Sequence, residues 1–290
     1  MKTYVVTGAS TGIGLATVKL LLAKGHRVFG SVRRLEDTSM HRSNFLPLLF
    51  DVTDDNAIFA AAAEVRRELG GETLAGIVNN AGIAVAGPVL HLAPAEFRKQ
   101  LAINVTGAFV VSQAFLPLLG CDRSLKGEPG RIVNVSSMAG KIGWPLLGAY
   151  SASKHGLEGL SESMRRELML FGIRVSIVGP GAVKTPIWAK SEDLSPFAGT
   201  EYEKPLQRLK ESMADLESTG LTPEEVADVI YEALTVDNPK ERYAVARSKF
   251  TSYWIPMWLP KKMFDNALAK RLGLTRAASA ETDIRRREPS

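Results

Sequence analysis

Residues 3–23 read TYVVTGASTGIGLATVKLLLA, an apolar run, a glycine-rich turn and a stretch of helical spacing in direct succession. The apolar run at 3–7 predicts a buried strand, and the spacing of apolar residues at 14–23 predicts a helix. In the turn, Gly8 permits a tight bend, Gly12 lets the backbone approach an anion, and Gly14 allows close packing of helix on strand. The helix N-terminus offers unpaired N–H groups and a partial positive charge to a pyrophosphate. The stretch therefore predicts a dinucleotide site, with candidate contacts at Gly8, Ser10, Thr11, Gly12, Ile13 and Gly14.

The alternation of strand and helix continues along most of the chain. Further strands are predicted at residues 27–32, 46–50, 76–79, 131–135 and 174–178. Helices are predicted at residues 55–69, 94–119 and 151–171, and from the N-cap Thr222 and Pro223 on to residue 234. This order predicts βαβ units and therefore an α/β fold, a Rossmann-type doubly wound parallel sheet. We expect a single domain over residues 1–249 and a C-terminal extension with a basic tail over residues 250–290.

The composition is that of an ordinary globular protein, with 45% hydrophobic and 23% charged residues. The single cysteine, Cys121, excludes an internal disulfide, and the four histidines show no ligand spacing, so we expect no metal site. The net charge of +5 suits an anionic cofactor, and the basic run at 285–287 is more typical of a solvated terminus than of a nucleic-acid arm. The N-terminus is a predicted strand rather than a signal peptide, and no apolar run approaches the ~18 residues of a membrane span. We therefore expect a cytoplasmic protein without a nucleic-acid partner.

The end of the second predicted strand bears on the choice between NAD and NADP. A carboxylate there would accept a hydrogen bond from the adenine-ribose 2′-OH of NAD, whereas an arginine can pair with the 2′-phosphate of NADP. Val32 stands where the acid is expected, and Arg33 follows it. We predict that NADP(H) is preferred and NAD(H) possible; the alternative is that Arg33 is merely solvent-exposed. Asp51 and Val52, after the third strand, can face the adenine, although Asp51 could equally cap the next helix.

Tyr150 and Lys154 are four residues apart in YSASK, a spacing that places both on one face of a helix. Free tyrosine, with a pKa of about 10, is a poor base at neutral pH. An adjacent ammonium favours the phenolate and can lower such a pKa by roughly 1–3 units. The pair therefore indicates a tyrosine that acts as general acid and base, although this spacing also arises by chance.

Several motifs, in a fixed order, resemble those of the short-chain dehydrogenase/reductase family. They are the turn Thr7 to Gly14, NNAG at 79–82, Asn104, the pair Ser136 and Ser137, Tyr150 with Lys154, and Pro180-Gly181 with Val183 and Thr185. The resemblance covers roughly residues 1–245. It implies an oxidoreductase that moves a hydride between the nicotinamide of NAD(P) and a carbonyl or alcohol. Dimers and tetramers are common in this family, so it also implies a homodimer or homotetramer.

The resemblance implies a role for each of these residues. Tyr150 would donate a proton to the carbonyl oxygen during reduction, Ser137 would hydrogen-bond the same oxygen, and Lys154 would tune Tyr150 and bind the nicotinamide-ribose hydroxyls. We choose Ser137 over Ser136 because the family's serine is usually the second of such a pair. Asn104 would hold a water as a proton relay to solvent. The remaining cofactor contacts implied are Asn79, which would also support the sheet, and Ala81, Gly82, Pro180, Gly181, Val183 and Thr185.

The substrate is expected to lie under a mobile lid at about residues 185–215, which includes the apolar Ile187, Trp188 and Phe197. Trp144 and the pair Leu146-Leu147 precede Tyr150 and would line the same pocket. Apolar walls predict a lipophilic substrate such as a retinoid, a steroid or a medium-chain carbonyl. The arginine-bearing second strand also resembles that of the family's lipid-directed members, the retinol and hydroxysteroid dehydrogenases. The alternative is that these side chains only pack the lid onto the core.

The extension begins with the aromatic segment FTSYWIPMWLPKKMF at residues 250–264, which is too short and too broken by prolines to span a bilayer. It could pack on the same or a neighbouring subunit, cover the substrate pocket, or make peripheral contact with a membrane surface.

Two other functions are compatible with such a chain. One is a non-catalytic NADP(H)-binding regulatory protein on the same fold, and the other is an epimerase or dehydratase on a related fold. The intact set of Asn104, Ser137, Tyr150 and Lys154 favours the enzyme over the regulator, which could lose any of them. No residue marks an epimerase or a dehydratase.

Overall fold

Short apolar runs form the seven strands of a parallel sheet in the computed structural model, which describes residues 1–37, 43–187, 193–247 and 258–276. The strands are β1 (Thr3–Val6), β2 (Arg27–Val32), β3 (Phe45–Leu49), β4 (Gly76–Asn79), β5 (Arg131–Val135), β6 (Arg174–Pro180) and β7 (Arg242–Val245). Their order in the sheet is β3-β2-β1-β4-β5-β6-β7, with every neighbouring pair parallel. The chain winds outward in one direction from β1 and in the other from β4, so the predicted Rossmann-type, doubly wound fold is confirmed.

Helices connect the strands and cover both faces of the sheet. They are α1 (Gly12–Ala23), α2 (Asp55–Leu69), α3 (Pro94–Leu101), α4 (Gly107–Phe115), α5 (Gly148–Glu167), α6 (Glu203–Thr219), α7 (Pro223–Thr235) and α8 (Lys261–Leu272). α1 packs with α7 over one face, and α2 packs with α4 over the other. Because the sheet is covered on both sides, every residue of β1 and β4 is buried, and β1 is a continuous apolar run rather than an alternating one.

The helix predicted at residues 94–119 is confirmed, because the backbone stays helical from Pro94 to Leu119 and leaves the helical conformation at Gly120. Two of its turns, Ala102–Thr106 and Pro117–Cys121, are wider turns of π type. In the first turn the buried Asn104 side chain pairs with the backbone of Ile83, accepting from its N–H at 2.9 Å and donating to its carbonyl at 3.0 Å. In the second, Pro117 lacks an N–H donor and Gly120 has a φ of 117°, which ends the helical path.

The C-terminal third contains elements that the sequence pattern did not predict, namely β7, α6 and α8. The start of α7 was predicted correctly: Thr222 Oγ1 accepts from Glu225 N at 3.2 Å, and the Glu225 carboxylate accepts from Thr222 N at 2.7 Å. Of the expected extension, residues 258–276 are described, and their helix α8 packs against α6. None of the helices in the described ranges combines the length and the apolar character that a membrane span requires.

Candidate active site

A cavity of about 710 Å³ opens at the carboxyl ends of the strands. Its wall includes residues just beyond four of them: Gly8 after β1, Arg33 after β2, Asn80 after β4 and Ser136 after β5. In an open α/β sheet a ligand binds in this crevice, beside the place where the strand order reverses.

The turn after β1 has a shape that larger side chains would prevent. Gly8 and Gly12 have φ values of 66° and 53°, and a Cβ on Gly14 would lie 2.1 Å from the Gly8 carbonyl oxygen. The Asn80 amide fixes the turn by donating to the carbonyls of Thr7 at 2.9 Å and Gly8 at 3.2 Å. α1 then begins without a side-chain cap, so its first N–H groups are left for an anion. These residues fit the pyrophosphate of a dinucleotide.

Two arginines follow β2, and they differ in their partners. Arg33 is exposed and lines the cavity. Arg34 pairs instead with Asp37, with 2.9 Å between Nη2 and Oδ1. Arg33 is therefore the arginine that can reach a phosphate on the adenosine side.

The segment after β3 excludes one of the two roles left open for Asp51, the cap of the next helix. Its Oδ1 accepts from the N–H and the hydroxyl of Thr53, at 2.9 and 2.7 Å. The cap of α2 is Asp54, whose Oδ1 accepts from Ala57 N at 3.0 Å. Asp51 lines the cavity together with Val52.

Three side chains capable of proton transfer and hydrogen bonding meet in this cavity. Tyr150 and Lys154 lie one turn apart on α5 and are 7% and 5% exposed. Lys154 Nζ lies 5.8 Å from the centre of the Tyr150 ring and donates to the Val135 carbonyl at 2.9 Å. Ser137 follows β5, and its hydroxyl hydrogen-bonds the Tyr150 side chain.

Burial governs the titration of this pair. It raises the pKa of Tyr150 above its ordinary value, and the hydrogen bond with Ser137 opposes the rise. Burial also lowers the pKa of Lys154 to about 8, against the opposing effect of the Glu158 charge. The pKa of Tyr150 is therefore raised and not lowered as expected, because the phenolate loses more hydration on burial than its favourable contacts restore. At neutral pH Tyr150 keeps its proton and Lys154 its charge, the state that a proton donor to a carbonyl requires.

A buried carboxylate one turn beyond the lysine organises the loop that carries Ser137. Glu158, with its side chain 3% exposed, accepts from Ser136 Oγ and Lys141 Nζ at 2.9 Å and from Arg242 Nε and Nη2 at 3.0 Å. Arg242, on β7, also donates to the Ser137 carbonyl at 3.3 Å. The Ser136 hydroxyl is thus used inside the protein, whereas that of Ser137 meets Tyr150. Because buried charges are tolerated only when they are paired, this cluster is a fixed frame beneath Ser137.

The predicted site residues separate into two groups. Those that line the cavity together are Gly8, Ser10, Thr11, Gly12, Ile13, Arg33, Asp51, Val52, Ala81, Gly82, Ser137, Tyr150, Lys154, Pro180, Gly181, Val183 and Thr185. Those that lie behind the wall are Gly14, Asn79 and Asn104. The Asn79 amide donates to side chains on α4 and β5 at 2.9 and 2.8 Å, and Asn104 donates to Ser153 Oγ on α5 at 3.0 Å. These three positions support the turn, the sheet and α5.

The wall on the substrate side is mainly apolar and draws on two helices. Trp144 and Leu147 line it as expected, together with Ile187 from the lid range, whereas Leu146 and Phe197, which were expected there too, are not part of the wall. Further lining residues come from α6 and α8: Leu209, Ser212, Met213, Leu268, Arg271 and Leu272. Leu209, Ser212 and Met213 fall within the lid range expected at about residues 185–215. The residues of α8 were not predicted, although the helical spacing of apolar residues at 264–272 was the available signal. Trp188 and residues 250–257 lie outside the described residues.

A family model, curated relatives and solved structures all identify the family that the sequence motifs resemble. The model of the family described as short chain dehydrogenase matches residues 2–195. The chain is 38% identical over 277 residues to the NADPH-dependent 3-dehydrocapnine reductase of Ornithobacterium rhinotracheale, covering 94% of this chain and 98% of that protein. It is 31% identical over 281 residues to retinol dehydrogenase 7 of Rattus norvegicus, covering 90% and 85%. Among solved structures, a short-chain dehydrogenase from Streptomyces avermitilis superimposes with a TM-score of 0.71 at 28% identity, over 99% and 98% of the two chains.

Proposed function

The chain belongs to the short-chain dehydrogenase family, and we propose that it reduces a lipophilic ketone with NADPH, or oxidises the corresponding alcohol. That it is an NAD(P)-dependent oxidoreductase of carbonyl and CH–OH groups follows from the family. The meeting of Ser137, Tyr150 and Lys154 in one cavity with the glycine turn is the observation that carries the proposal.

The nicotinamide cofactor supplies or accepts the hydride when it is bound. Tyr150 gives its proton to the substrate oxygen during reduction and takes it back during oxidation. Ser137 donates a hydrogen bond to the same oxygen, where negative charge develops. The Lys154 ammonium stabilises the tyrosine phenolate that remains and binds ribose hydroxyls of the cofactor. Arg33 pairs with the 2′-phosphate, which makes NADP(H) the preferred cofactor.

Two observations support a lipophilic substrate and the direction of reduction. The wall around Trp144 and Leu147 is closed by apolar side chains of α6 and α8. The relative from Ornithobacterium rhinotracheale is named as an NADPH-dependent reductase, and that from Rattus norvegicus as a retinol dehydrogenase. These observations support the proposal that the chain is one of the lipid-directed members of its family.

Replacing Tyr150 with Phe tests the proposed proton donor. We expect turnover of a medium-chain ketone, followed by NADPH absorbance, to fall at least about 100-fold, because general acid catalysis contributes that much. The dissociation constant for NADPH should change little. Tyr243→Phe removes another buried hydroxyl, one that accepts from Lys240 N at 3.1 Å outside the cavity, and should keep wild-type turnover. Full activity in Tyr150→Phe would exclude the proposed acid.

We also propose that the protein is a homodimer or homotetramer. Phe97 on α3 and Phe109 on α4 are 39% and 44% exposed, and aromatic side chains at the surface are typical of subunit interfaces. Light scattering after size exclusion should give twice or four times the mass of 31.4 kDa, and the double change to Ser at these positions should give the monomer. A monomeric wild-type protein would contradict the proposal.

A further inference from the structure

The cover that α6 and α8 form over the cavity is apolar with one cationic side chain in it. Leu209 and Met213 of α6 and Leu268 and Leu272 of α8 line this part of the wall. Arg271 lines it as well, and it is exposed.

Arg271 donates one of its five N–H groups to Ser212 Oγ at 2.5 Å. No ion pair of Arg271 occurs among the described residues. Arg247, also in the wall, has an ion pair of its own: its guanidinium lies 3.8 Å from the Glu225 carboxylate and donates to the Gly220 carbonyl. Arg271 therefore has N–H donors left for a ligand, and Ser212 adds a hydroxyl beside them.

The charged side chains that line this part of the cavity are all basic. Of the acidic side chains in the part of the chain that the structure describes, Asp51 alone lines the cavity, and it lies after β3 beside Thr53. Residues 258–276, which contain α8, carry five basic side chains and one acidic side chain. A cleft lined by one sign of charge raises the local concentration of the opposite ion.

We propose that Arg271, assisted by Ser212, binds the acidic headgroup of an amphiphilic substrate whose aliphatic chain lies along the leucines of α6 and α8. The substrate class is then a lipid-like ketone or secondary alcohol that carries a carboxylate, phosphate or sulfonate. Arginine suits all three, because its planar fork presents paired donors to acidic oxygens. The inference rests on the proposed function only in treating this cavity as the substrate site.

Binding of simple decyl ligands to the full-length protein tests the headgroup site without any turnover. Isothermal titration calorimetry would compare decanoate, decyl phosphate and decanesulfonate with decan-1-ol. We expect the acidic ligand of the right class to bind at least about tenfold more tightly than the alcohol, as a charge-assisted hydrogen bond implies. The order of the three acids identifies the headgroup. Equal binding of the alcohol and all three acids would overturn the proposal.

Substitutions at two neighbouring positions make the test specific. Arg271→Gln should remove the advantage of the acids, and Arg271→Lys should restore most of it. Lys270→Gln removes a charge from the same last turn of α8 but from a residue outside the cavity wall, so the advantage should persist. Loss of the advantage in Lys270→Gln to the same extent would show a diffuse charge effect and would overturn the site.

Turnover of an oxo-fatty acid and of its methyl ester separates this proposal from the proposed function. If the wild type reduces the ester as well as the acid and Arg271→Gln changes neither, the headgroup site is excluded and the reductase stands. If neither is reduced while the acidic decyl ligands keep their advantage, the headgroup site stands and the proposed lipophilic substrate fails.

Discussion

A single side chain, Arg33, is expected to determine the preferred cofactor. It lines the cavity beyond β2, and Val32 beside it is buried where an acid would favour NAD. Arg33→Ala removes the partner of the 2′-phosphate, so we expect the KM for NADPH to rise about tenfold or more, since such a pair contributes ~1.5–3 kcal/mol. The KM for NADH should change little. Steady-state kinetics with both cofactors measures the two values.

The adjacent Arg34 supplies the matched control. It is exposed like Arg33, but its guanidinium pairs with Asp37 at 2.9 Å. Arg34→Ala should leave the ratio of the two KM values as in the wild type. A wild-type preference for NADH, or equal effects of the two substitutions, would contradict the role of Arg33.

One face of α5 carries the groups that set the pH dependence of the reaction. Tyr150, Lys154 and Glu158 follow one another at single-turn spacing along it. Lys154 has a pKa of about 8 and is charged below that pH, so the ammonium that stabilises the phenolate is lost as the pH rises. We expect kcat/KM for reduction to be constant below a pH of about 8 and then to fall about tenfold per pH unit.

Glu158→Gln should move this fall to lower pH, because the carboxylate charge raises the pKa of Lys154. The midpoint of the profile is the readout, since the substitution also leaves Arg242 with an uncharged partner and lowers stability. Glu158→Asp keeps the charge and should return the midpoint towards that of the wild type. Glu162→Gln removes a half-buried carboxylate of the same helix and should leave the midpoint unchanged. An unaltered midpoint in Glu158→Gln would exclude Glu158 from this positioning role.

For the molecule as a whole, the sequence predicted what depends on near neighbours in the chain. β1, the glycine turn and α1 are consecutive, and the spacing of Tyr150 and Lys154 is local, so pattern and turn chemistry were sufficient. Contacts between distant segments left no such signal. Glu158 and Arg242 are 84 residues apart in the chain, yet Arg242 Nε lies 3.0 Å from a carboxylate oxygen of Glu158. Nothing in the sequence around either residue predicts that the two form an ion pair.

The dependence on contacts between distant segments also explains the errors in the predicted site. The pKa of Tyr150 depends on how deeply its ring is buried, which the spacing to Lys154 does not show. Only part of the substrate wall was predicted, because α8 contributes to it from a distant part of the chain. The contact between Trp144 and Phe264 of α8, with ring centres 6.3 Å apart, is one example. The π-type turn at Asn104 coincides with its bonds to the backbone of Ile83, a contact that helical periodicity cannot predict.

The sheet and helix α8, which covers the cavity, are formed by different parts of the chain, so removing the C-terminal residues should affect substrate binding and not the fold. All seven described strands lie within residues 3–245, so a chain that ends at Lys249 should fold and bind NADPH with nearly the wild-type dissociation constant. It lacks Leu268 and Leu272, which line the cavity, and burial of one leucine side chain contributes ~1.5–3 kcal/mol. We therefore expect the KM for a long-chain ketone to rise at least about tenfold.

A small ketone without an aliphatic chain should keep its kcat/KM in the shortened chain, since it does not reach the leucines. An unchanged KM for the long-chain ketone would show that α8 is not part of the substrate site, and loss of NADPH binding would show that the sheet requires the C-terminal residues.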